Sequence, residues 1–577
     1  MAEKEQEILK IAKLRSYLKE KNYSACIIPQ NDPHLSEYVS DYYKIREYFS
    51  SFTGSEGTLL IGQDFAILWT DGRYFIQAQA ELQGTGIELY KMNVEGFPTL
   101  VEFLSENFIF SDKVVANCNT ISAKYCDLLK EKCTIVHDAE WENIWHDRPQ
   151  IKKSKIWRLD WAENERSYSA KIDDLRQTLV ENKADYYLVS ALDELSWLFN
   201  IRAYDIEYTP VVKGFAIVGI DNIFLFIDAE EAIELPGVEI FHYNELYNVI
   251  STLNGALCLD KGKVNALLYK VCNEHFNVIT VESPITLMKA VKSEQEIAGC
   301  RKANINDALV WVKLMMYVED ALARGEKFTE LSVSKKMTEL KAENCDFVCE
   351  SFESIVAYAD NAAIVHYAPT AQTDKEIQPQ GLLLIDSGTH YIYGTTDITR
   401  TLVCAELTDE EKRRFTQVLK GMIAVATAEF THKTKGKDID ALARQFLQED
   451  GLDYLHGTGH GVGSVLCVHE EGVRLSPKGE GEMHKNVITS DEPGFYKAGE
   501  FGIRIENMLL CTAKDENVLN FSNLTLVPID VRAIDVALLT KTEIDWINSF
   551  HREIKVKLHD FLTDNENKWL NERIYEI

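Results

Sequence analysis

The chain contains 577 residues, of which 46% are hydrophobic and 26% are charged. These proportions are ordinary for globular protein and argue against long disordered segments, while the length calls for several domains. The formal net charge of −30 argues against a general role on nucleic acid or on an anionic membrane surface.

The first residues of the chain and its cysteines indicate the cellular location that we expect. No apolar run approaches the roughly 18 residues that span a bilayer. Residues 1–20 are charged throughout, so we expect no secretory leader. The twelve cysteines are scattered without zinc-knuckle spacing. We therefore expect reduced thiols, a cytoplasmic location and no membrane partner.

The first elements form an internal repeat. Without gaps, Leu14, Arg15, Leu18, Glu20, Ile27, Ile28 and Asp32 align with Leu175, Arg176, Leu179, Glu181, Leu188, Val189 and Asp193. Further on, residues 67–71 correspond to residues 224–228, and each run is a strand that ends in aspartate. The pattern predicts two similar α/β domains, 1–153 and 154–291, separated by a polar, basic stretch at 148–153. Any two α/β units could share such a pattern, and that alternative stays open.

A third region, 292–577, begins with a helix signal. Ser293 and Glu296 form a capping box that predicts a long helix. Thr408 and Glu411 predict another, from Glu410 to Phe430. We place the start of a C-terminal extension near residue 520. From about Thr540 the pattern predicts one or two helices with apolar faces supplied by Trp546, Phe550, Leu558, Phe561 and Trp569.

Two aspartates in this region follow or lie within strands. The apolar run 382–385 ends in Asp386, and Asp397 lies in a threonine-rich strand. A tight connection near Gly394 could bring the two carboxylates side by side. Alone, the pair is weak evidence, because an aspartate at a strand end is more often a cap or a turn residue.

Three further motifs, at residues 456–463, 489–496 and 501–507, complete a candidate metal site. The glycine-rich run 456–463 contains two histidines but fits neither a dinucleotide fingerprint nor a phosphate loop, and residues 469–472 fall short of a zinc helix. Four carboxylates and one imidazole could neutralise two divalent ions, and oxygen-rich ligands favour a hard ion such as Mn²⁺. A water between two such ions loses a proton near neutral pH and becomes a nucleophile. The candidate ligands are Asp386, Asp397, His460, Glu492 and Glu506.

The order of these five residues resembles the pita-bread metallopeptidases, which include methionine aminopeptidase, prolidase and aminopeptidase P. Motifs at 52–55, 69–74, 192–202, 455–463, 491–494 and 502–507 are most similar to the three-domain form of aminopeptidase P. The resemblance implies an α/β (α+β) fold with two similar N-terminal α/β domains and a pita-bread catalytic domain with a helical C-terminal extension. It also implies release of the first residue from peptides with proline in second place, two divalent ions and a homodimer.

The resemblance also implies a role for each matching residue. Asp386 would chelate one ion, His460 and Glu492 the other, and Asp397 and Glu506 would bridge them. Glu492 would also carry a proton to the leaving nitrogen. Imidazoles beside the substrate could steady an oxyanion; they are His366, His456 and His469. Side chains that would hold carboxylates or contact substrate are Arg504, Tyr496 and Arg73, although plain packing explains Arg504 and Tyr496 equally well.

Three alternative functions stay open, and the sequence departs from the family pattern in one segment. Prolidase acts on dipeptides with the same kind of site, a pita-bread binding protein would have no activity, and a creatinase-like hydrolase would need no metal. The presence of all five candidate ligands disfavours the last two. At 469–472 the chain reads His-Glu-Glu-Gly, whereas the family form continues His-Glu-Gly-Pro. Residues 470–486 therefore put the shape of the substrate pocket in doubt.

Overall fold

A computed structural model describes residues 2–231 and 233–577. The chain divides into two compact units between Ile285 and Thr286. Within the described ranges no helix is long and apolar enough to cross a membrane. Short 3-10 helices lie at Asp41–Tyr43, Glu140–Ile144, Tyr243–Glu245, Ala359–Ala363, Val531–Ala533, Val536–Leu538 and His559–Phe561.

The first half of the N-terminal unit is one six-stranded mixed sheet with helices, in the strand order β4-β3-β2-β1-β5-β6. Strand β1 is antiparallel to β2 and parallel to β5. The elements are α1 (Ala2–Lys21), β1 (Ala25–Pro29), α2 (Ile45–Ser50), β2 (Thr58–Gly62), β3 (Ala66–Thr70), α3 (Phe75–Glu81), β4 (Glu88–Lys91), α4 (Leu100–Asn107), β5 (Lys113–Ala116), α5 (Ala123–Lys130) and β6 (Thr134–His137).

The second half of this unit repeats the same sheet, in the order β12-β11-β10-β8-β13-β14. Its elements are β7 (Trp157–Arg158), α6 (Asp160–Glu165), α7 (Tyr168–Asn182), β8 (Tyr186–Val189), α8 (Leu192–Leu198), β9 (Ile201–Arg202), β10 (Gly214–Gly219), β11 (Ile223–Ile227), β12 (Glu239–Phe241), α9 (Leu246–Ile250), β13 (Ala256–Leu259), α10 (Ala266–His275) and β14 (Asn277–Thr280). The next helix, α11 (Pro284–Ala290), contains the boundary between the two units. Because β8 pairs antiparallel with β10 and parallel with β13, the two sheets share one topology, and the predicted repeat is confirmed. The boundaries at 153 and 291 stay predictions.

The central strands of both sheets are apolar runs because both faces of each sheet are covered. All residues of β1, β3, β10 and β11 are buried. In β1, Cys26 and Ile28 join one hydrophobic cluster, whereas Ala25 and Ile27 join another. The alternation of side chains along β1 therefore separates two cores in the first half of the unit.

The C-terminal unit combines long helices with short, mostly antiparallel sheets. The sheets are β15-β18-β19, β16-β17-β20, β21-β28-β27-β24-β22-β23 and β25-β26. The elements are α12 (Glu294–Arg324), α13 (Glu330–Ala342), β15 (Phe347–Glu350), β16 (Ile355–Tyr358), β17 (Leu382–Ser387), β18 (Thr389–Tyr391), β19 (Gly394–Thr395), β20 (Ile398–Val403), α14 (Asp409–Ala426), β21 (Glu429–Phe430), α15 (Gly436–Gln448), β22 (Gly459–Gly461), β23 (Glu470–Leu475), β24 (Ile488–Asp491), β25 (Gly494–Lys497), β26 (Phe501–Arg504), β27 (Asn507–Ala513), β28 (Leu519–Asn523), α16 (Lys541–Leu558) and α17 (Asp564–Arg573).

Both predicted capping boxes are confirmed, at Ser293 for α12 and at Thr408 for α14. The predicted end of α14 at Phe430 is wrong, because the helix stops at Ala426. The next residues, Glu429–Phe430, pair with β28 as a strand instead. Sheet pairing at a distant point of the chain thus overrides local helical preference.

The C-terminal tail forms the predicted helices. Phe550 and Leu558 are buried in the core of the unit, and Trp546 and Trp569 pack against it. Phe561 was expected on the same apolar face but is 61% exposed. It lies in the 3-10 turn after α16, where the 3.6-residue period no longer applies.

Candidate metal centre

The two aspartates come together at one end of a strand pair. Strands β17 and β20 are antiparallel, and Asp386 pairs with Thr399. The connection between them is the β18–β19 hairpin, so the predicted tight connection at Gly394 is confirmed. A Cβ atom on Gly394 would lie 2.9 Å from the Cα atom of Cys300, and only glycine fits this approach.

His460 lies among the carboxylates. Its Nε2 atom is 3.4 Å from Asp397 Oδ2 and 3.3 Å from Glu492 Oε1. Ligand atoms of Asp397, His460 and Glu506 all lie within 4.8 Å of one another. His460 enters on β22 of the larger sheet, whereas Asp397 precedes β20 of another. The site therefore forms where two sheets meet, from segments that are distant in sequence.

Arg504 and Thr399 tie the remaining carboxylates to this group. Arg504 Nη2 donates to Asp386 Oδ2 at 2.6 Å, and its Nε donates to Thr399 Oγ1 at 3.2 Å. The Thr399 hydroxyl in turn donates to Glu506 Oε2 at 2.7 Å. Predicted to hold a carboxylate, Arg504 does so directly. Its second nitrogen orients the hydroxyl that orients Glu506.

Burial crowds negative charge in this pocket. Loss of solvent raises the pKa of Asp397 and that of Glu492 to about 7. It also raises the pKa of Asp386 and of Glu506, where the neighbouring carboxylates add to the effect. His460 opposes the shift of the Glu492 pKa. Four carboxylates cannot all ionise here without added positive charge.

Unsatisfied oxygens indicate where that positive charge would bind. Asp386 Oδ1 and Glu506 Oε1 are buried and accept no hydrogen bond from any described residue. Buried acceptors without donors are costly and rare. The donor set of four carboxylates and one imidazole suits divalent cations with a preference for oxygen. The residues present therefore fit a pair of divalent ions.

Glu492 is more exposed than the other carboxylates. Its side chain remains 18% exposed, against 6% for Asp397. Ser490 Oγ donates to Glu492 Oε1 at 3.2 Å and accepts from the His460 backbone N–H at 3.0 Å. The serine thus links the two residues that were predicted to share one ion, and Glu492 keeps access to solvent.

The histidines differ in position. The His469 ring lies 4.4 Å from the His460 ring, edge to face. His456 is buried, with Nδ1 at 2.6 Å from Gly457 O and Nε2 at 2.8 Å from Tyr496 OH. His366 is partly buried in the segment after the 3-10 helix Ala359–Ala363. Its place beside the substrate stays a prediction.

Tyr496 connects His456 to the candidate ligands. Arg504 Nη1 donates to Tyr496 OH at 2.8 Å. A chain of hydrogen bonds therefore runs from His456 through Tyr496 and Arg504 to Asp386. The catalytic role given to His456 stays a prediction, and the geometry connects that side chain to a ligand through two intermediates.

Arg73 lies in the N-terminal unit, outside the unit that holds the five ligands. Its Nη2 pairs with Asp71 Oδ2 at 2.7 Å, and its Nη1 is 3.8 Å from Glu37. A role for Arg73 toward substrate stays a prediction.

Sequence reasoning missed several supporting side chains. Thr399 could have been found, since every second residue of the threonine-rich strand faces the same way as Asp397. Ser490 gave no separate signal. Glu470, where the chain departs from the family pattern, is buried against Lys292 and is 3.2 Å from Lys289 Nζ. Ion pairs between residues that are this far apart in the chain leave no local pattern in the sequence.

Comparisons with known proteins cover the chain from one end to the other. Residues 298–513 match metallopeptidase family M24, and 517–577 match its C-terminal region. Residues 10–144 and 147–296 each match a creatinase/prolidase N-terminal domain. An Xaa-Pro aminopeptidase 1 of Dictyostelium discoideum is 35% identical over 603 residues, which cover 98% of this chain and 96% of the relative. The chain belongs to the Xaa-Pro aminopeptidases of metallopeptidase family M24.

Other Xaa-Pro aminopeptidases and a prolidase extend this result. A probable Xaa-Pro aminopeptidase P of Tuber melanosporum is 34% identical, over 97% of this chain and 98% of the relative. The X-prolyl aminopeptidase of Caenorhabditis elegans, described as a cytosolic enzyme with a di-nuclear active site, matches with a TM-score of 0.95, 31% identity, and 99% and 100% coverage. The prolidase of Pyrococcus horikoshii OT3 matches with a TM-score of 0.51, 25% identity, and 62% and 99% coverage.

The predicted fold and family are confirmed by these matches. Two creatinase-type N-terminal domains precede an M24 domain, as the resemblance implied. The chain is therefore an enzyme of the Xaa-Pro aminopeptidase family. The prolidase likeness covers a smaller part of the chain than the aminopeptidase likeness does.

Proposed function

We propose that this Xaa-Pro aminopeptidase removes the first residue from peptides whose second residue is proline, using two divalent ions. The observation that carries the proposal is the convergence of acidic side chains and one imidazole in a buried pocket with unsatisfied oxygens. The names of full-length relatives support the substrate class. The proposed ligands are Asp386, Asp397, His460, Glu492 and Glu506.

In this proposal Asp386 would hold one ion, and His460 with Glu492 would hold the other. Asp397 and Glu506 would serve both ions, which is supported by their closeness to His460 and by their electrostatic repulsion of Asp386. We propose Mn²⁺ as the native ion because oxygen ligands dominate. When bound, such a pair of ions lowers the pKa of a shared water toward neutrality.

Glu492 moves the proton in this proposal. Its carboxylate accepts a proton from the attacking water and passes it to the proline nitrogen, which must be protonated to leave. Passing that proton on returns the carboxylate to its starting state. His366 and His469 donate to the substrate carbonyl, where negative charge develops.

The remaining proposals concern assembly and location. We propose a homodimer formed through the catalytic domain, on the resemblance alone. We propose a cytosolic location, which the description of the Caenorhabditis elegans enzyme supports. The domains are proposed to be 1–153, 154–291 and 292–577, with the extension starting near residue 520.

Peptide cleavage tests the function. The Mn²⁺-loaded protein is incubated with Arg-Pro-Pro, Arg-Pro and Met-Ala-Ala, and free amino acids are separated by chromatography. We expect fast release of arginine from Arg-Pro-Pro and no cleavage of Met-Ala-Ala. Asp397→Ala should abolish release, because the proposed bridging ligand is lost.

Two results would contradict this function. Faster cleavage of Arg-Pro than of Arg-Pro-Pro would assign the chain to the dipeptidases. Full activity after exhaustive chelation, confirmed by metal analysis, would rule out a metal-dependent reaction.

A further inference from the structure

Two buried charged side chains hold the hairpin that joins Asp386 to Asp397. Asp307 lies on α12 and Lys341 on α13, and both are fully buried. Neither belongs to the proposed ligands, and nothing in the local sequence marks them. A buried aspartate and a buried lysine cost free energy unless their hydrogen bonds are made, so their contacts indicate what they do.

Lys341 holds the residues that directly follow Asp386. Its Nζ donates to Ser387 Oγ at 2.6 Å and to Gly388 O at 2.8 Å. The backbone there is closely packed, since a Cβ atom on Gly388 would lie 2.1 Å from Ser351 Oγ. The end of the strand that presents Asp386 is therefore fixed by a charge from a neighbouring helix.

Asp307 holds the residue that directly precedes Asp397. Its Oδ2 accepts from Thr396 Oγ1 at 2.6 Å, and its Oδ1 accepts from Thr389 Oγ1 at 3.1 Å. Thr396 Oγ1 also accepts the backbone N–H of Thr389 at 2.9 Å. Because this hydroxyl both donates and accepts, its orientation is fixed, and so is the backbone that presents Asp397.

We propose that Asp307 and Lys341 are positioning residues that set the separation of Asp386 and Asp397, and so allow the centre to hold two ions instead of one. Lys341 holds the outgoing side of the hairpin, and Asp307 joins the outgoing side to the returning side through Thr389 and Thr396. The proposal rests on the proposed function of the five ligands.

Metal titration tests the proposal. Chelator-stripped wild type, Asp307→Asn, Lys341→Met and Asp530→Asn are titrated with Mn²⁺ by calorimetry, and the unfolding temperature of each metal-free protein is recorded. Asp530 is the matched control, because its buried carboxylate accepts from the Val403 N–H at 2.9 Å, at the opposite end of β20. Wild type and the control should bind two ions per chain with equal affinity.

The two test variants should lose the weaker ion selectively. We expect one ion to bind about 10- to 100-fold less tightly, as for substitutions of groups that orient metal ligands. At limiting Mn²⁺ the kcat for Arg-Pro-Pro should fall, then recover as Mn²⁺ is raised, with an unchanged KM. Unchanged stoichiometry and affinity in both variants would overturn the proposal, even if their metal-free unfolding temperatures fell.

A milder pair of variants is used if Asp307→Asn and Lys341→Met do not fold. Thr396→Val removes only the hydroxyl that Asp307 holds, and Thr396→Ser retains it. Thr396→Val should lose the weaker ion, and Thr396→Ser should keep it; equal binding in the pair would also overturn the proposal. A wild type that binds two ions but leaves Arg-Pro-Pro intact would contradict the proposed function, while the ion counts would still decide the positioning role.

Discussion

A single phenolic oxygen, that of Tyr496, joins His456 to the arginine that holds Asp386. Sequence alone left Tyr496 and Arg504 equally consistent with plain packing. Their polar atoms form hydrogen bonds with other groups of the site: Tyr496 OH with His456 and Arg504, and Arg504 with Asp386. Packing alone does not account for these contacts. Because the His456 Nδ1 proton points at Gly457 O, the neutral ring accepts at Nε2. The Tyr496 hydroxyl therefore accepts from Arg504 and donates to His456, and it fixes the directions of both groups at once.

Removing that hydroxyl should affect catalysis more than folding. In Tyr496→Phe the ring and its packing remain, but Arg504 and His456 lose their shared partner. We expect kcat/KM for Arg-Pro-Pro to fall about 10-fold with little change in unfolding temperature. Tyr358→Phe is the control, since its hydroxyl donates to Gln380 O at 2.8 Å and Tyr358 pairs with Leu383, at the other end of β17 from Asp386. Equal kinetics in the two variants would show that the Tyr496 hydroxyl has no part in the site.

At the scale of elements, His34 joins the two halves of the N-terminal unit. It follows β1, and its Nδ1 lies 2.8 Å from Ser190 O, just after β8. Its Nε2 lies 2.8 Å from Tyr243 OH. A neutral ring satisfies both contacts, donating from Nδ1 and accepting at Nε2. Burial lowers the pKa of His34 to about 4.

This histidine should make stability depend on pH. Below its unfolded pKa of about 6.5 the unfolded chain binds a proton that the folded chain does not. The free energy of unfolding should therefore fall from about pH 6.5 to pH 4, by up to about 3 kcal/mol, and then level off. Urea unfolding of wild type and His34→Gln across this range measures the effect.

The variant should show a shallower decline than wild type between pH 6.5 and 4. His242→Gln, in which an exposed histidine of the same unit is replaced, controls for the loss of a titratable ring. Parallel curves for wild type and His34→Gln would mean that burial of this imidazole does not govern acid stability.

The elements that sequence predicted best are those with a local signal. The capping boxes at Ser293 and Thr408, the duplicated strands and the five candidate ligands all left short patterns. The predicted end of α14 was wrong because the residues after the helix pair with β28, which is distant in sequence. The predicted burial of Phe561 was wrong because this residue lies in a 3-10 turn, where the helical period ends. Asp307, Lys341 and Ser490 gave no pattern, since their partners lie in other elements.

For the whole molecule, the acidic pocket predicts that metal stabilises the fold. Four buried carboxylates repel one another in the metal-free protein, and ions that bind only the folded chain stabilise it by mass action. Chelation should lower the unfolding temperature, and added Mn²⁺ should restore it in a concentration-dependent way. Asp397→Ala should respond far less to Mn²⁺ in a thermal scan. If neither the chelator nor Mn²⁺ changed the unfolding temperature, the proposed centre would be contradicted.

The C-terminal extension contacts β20 through the buried guanidinium of Arg400. Arg400 Nη1 donates to Glu506 O at 2.5 Å, and its Nη2 donates to Val527 O at 2.7 Å. Its Nε donates to Pro528 O at 3.0 Å. The segment that follows β28 thus supplies acceptors to the neighbour of Thr399, which itself orients Glu506.

This contact makes the segment after β28 part of the support of β20. A chain that ended before Val527 would keep every proposed ligand but would leave the buried Arg400 guanidinium without the acceptors at Val527 and Pro528. Because a buried donor without an acceptor is costly, loss of the extension should weaken the strand next to the centre without removing a single ligand.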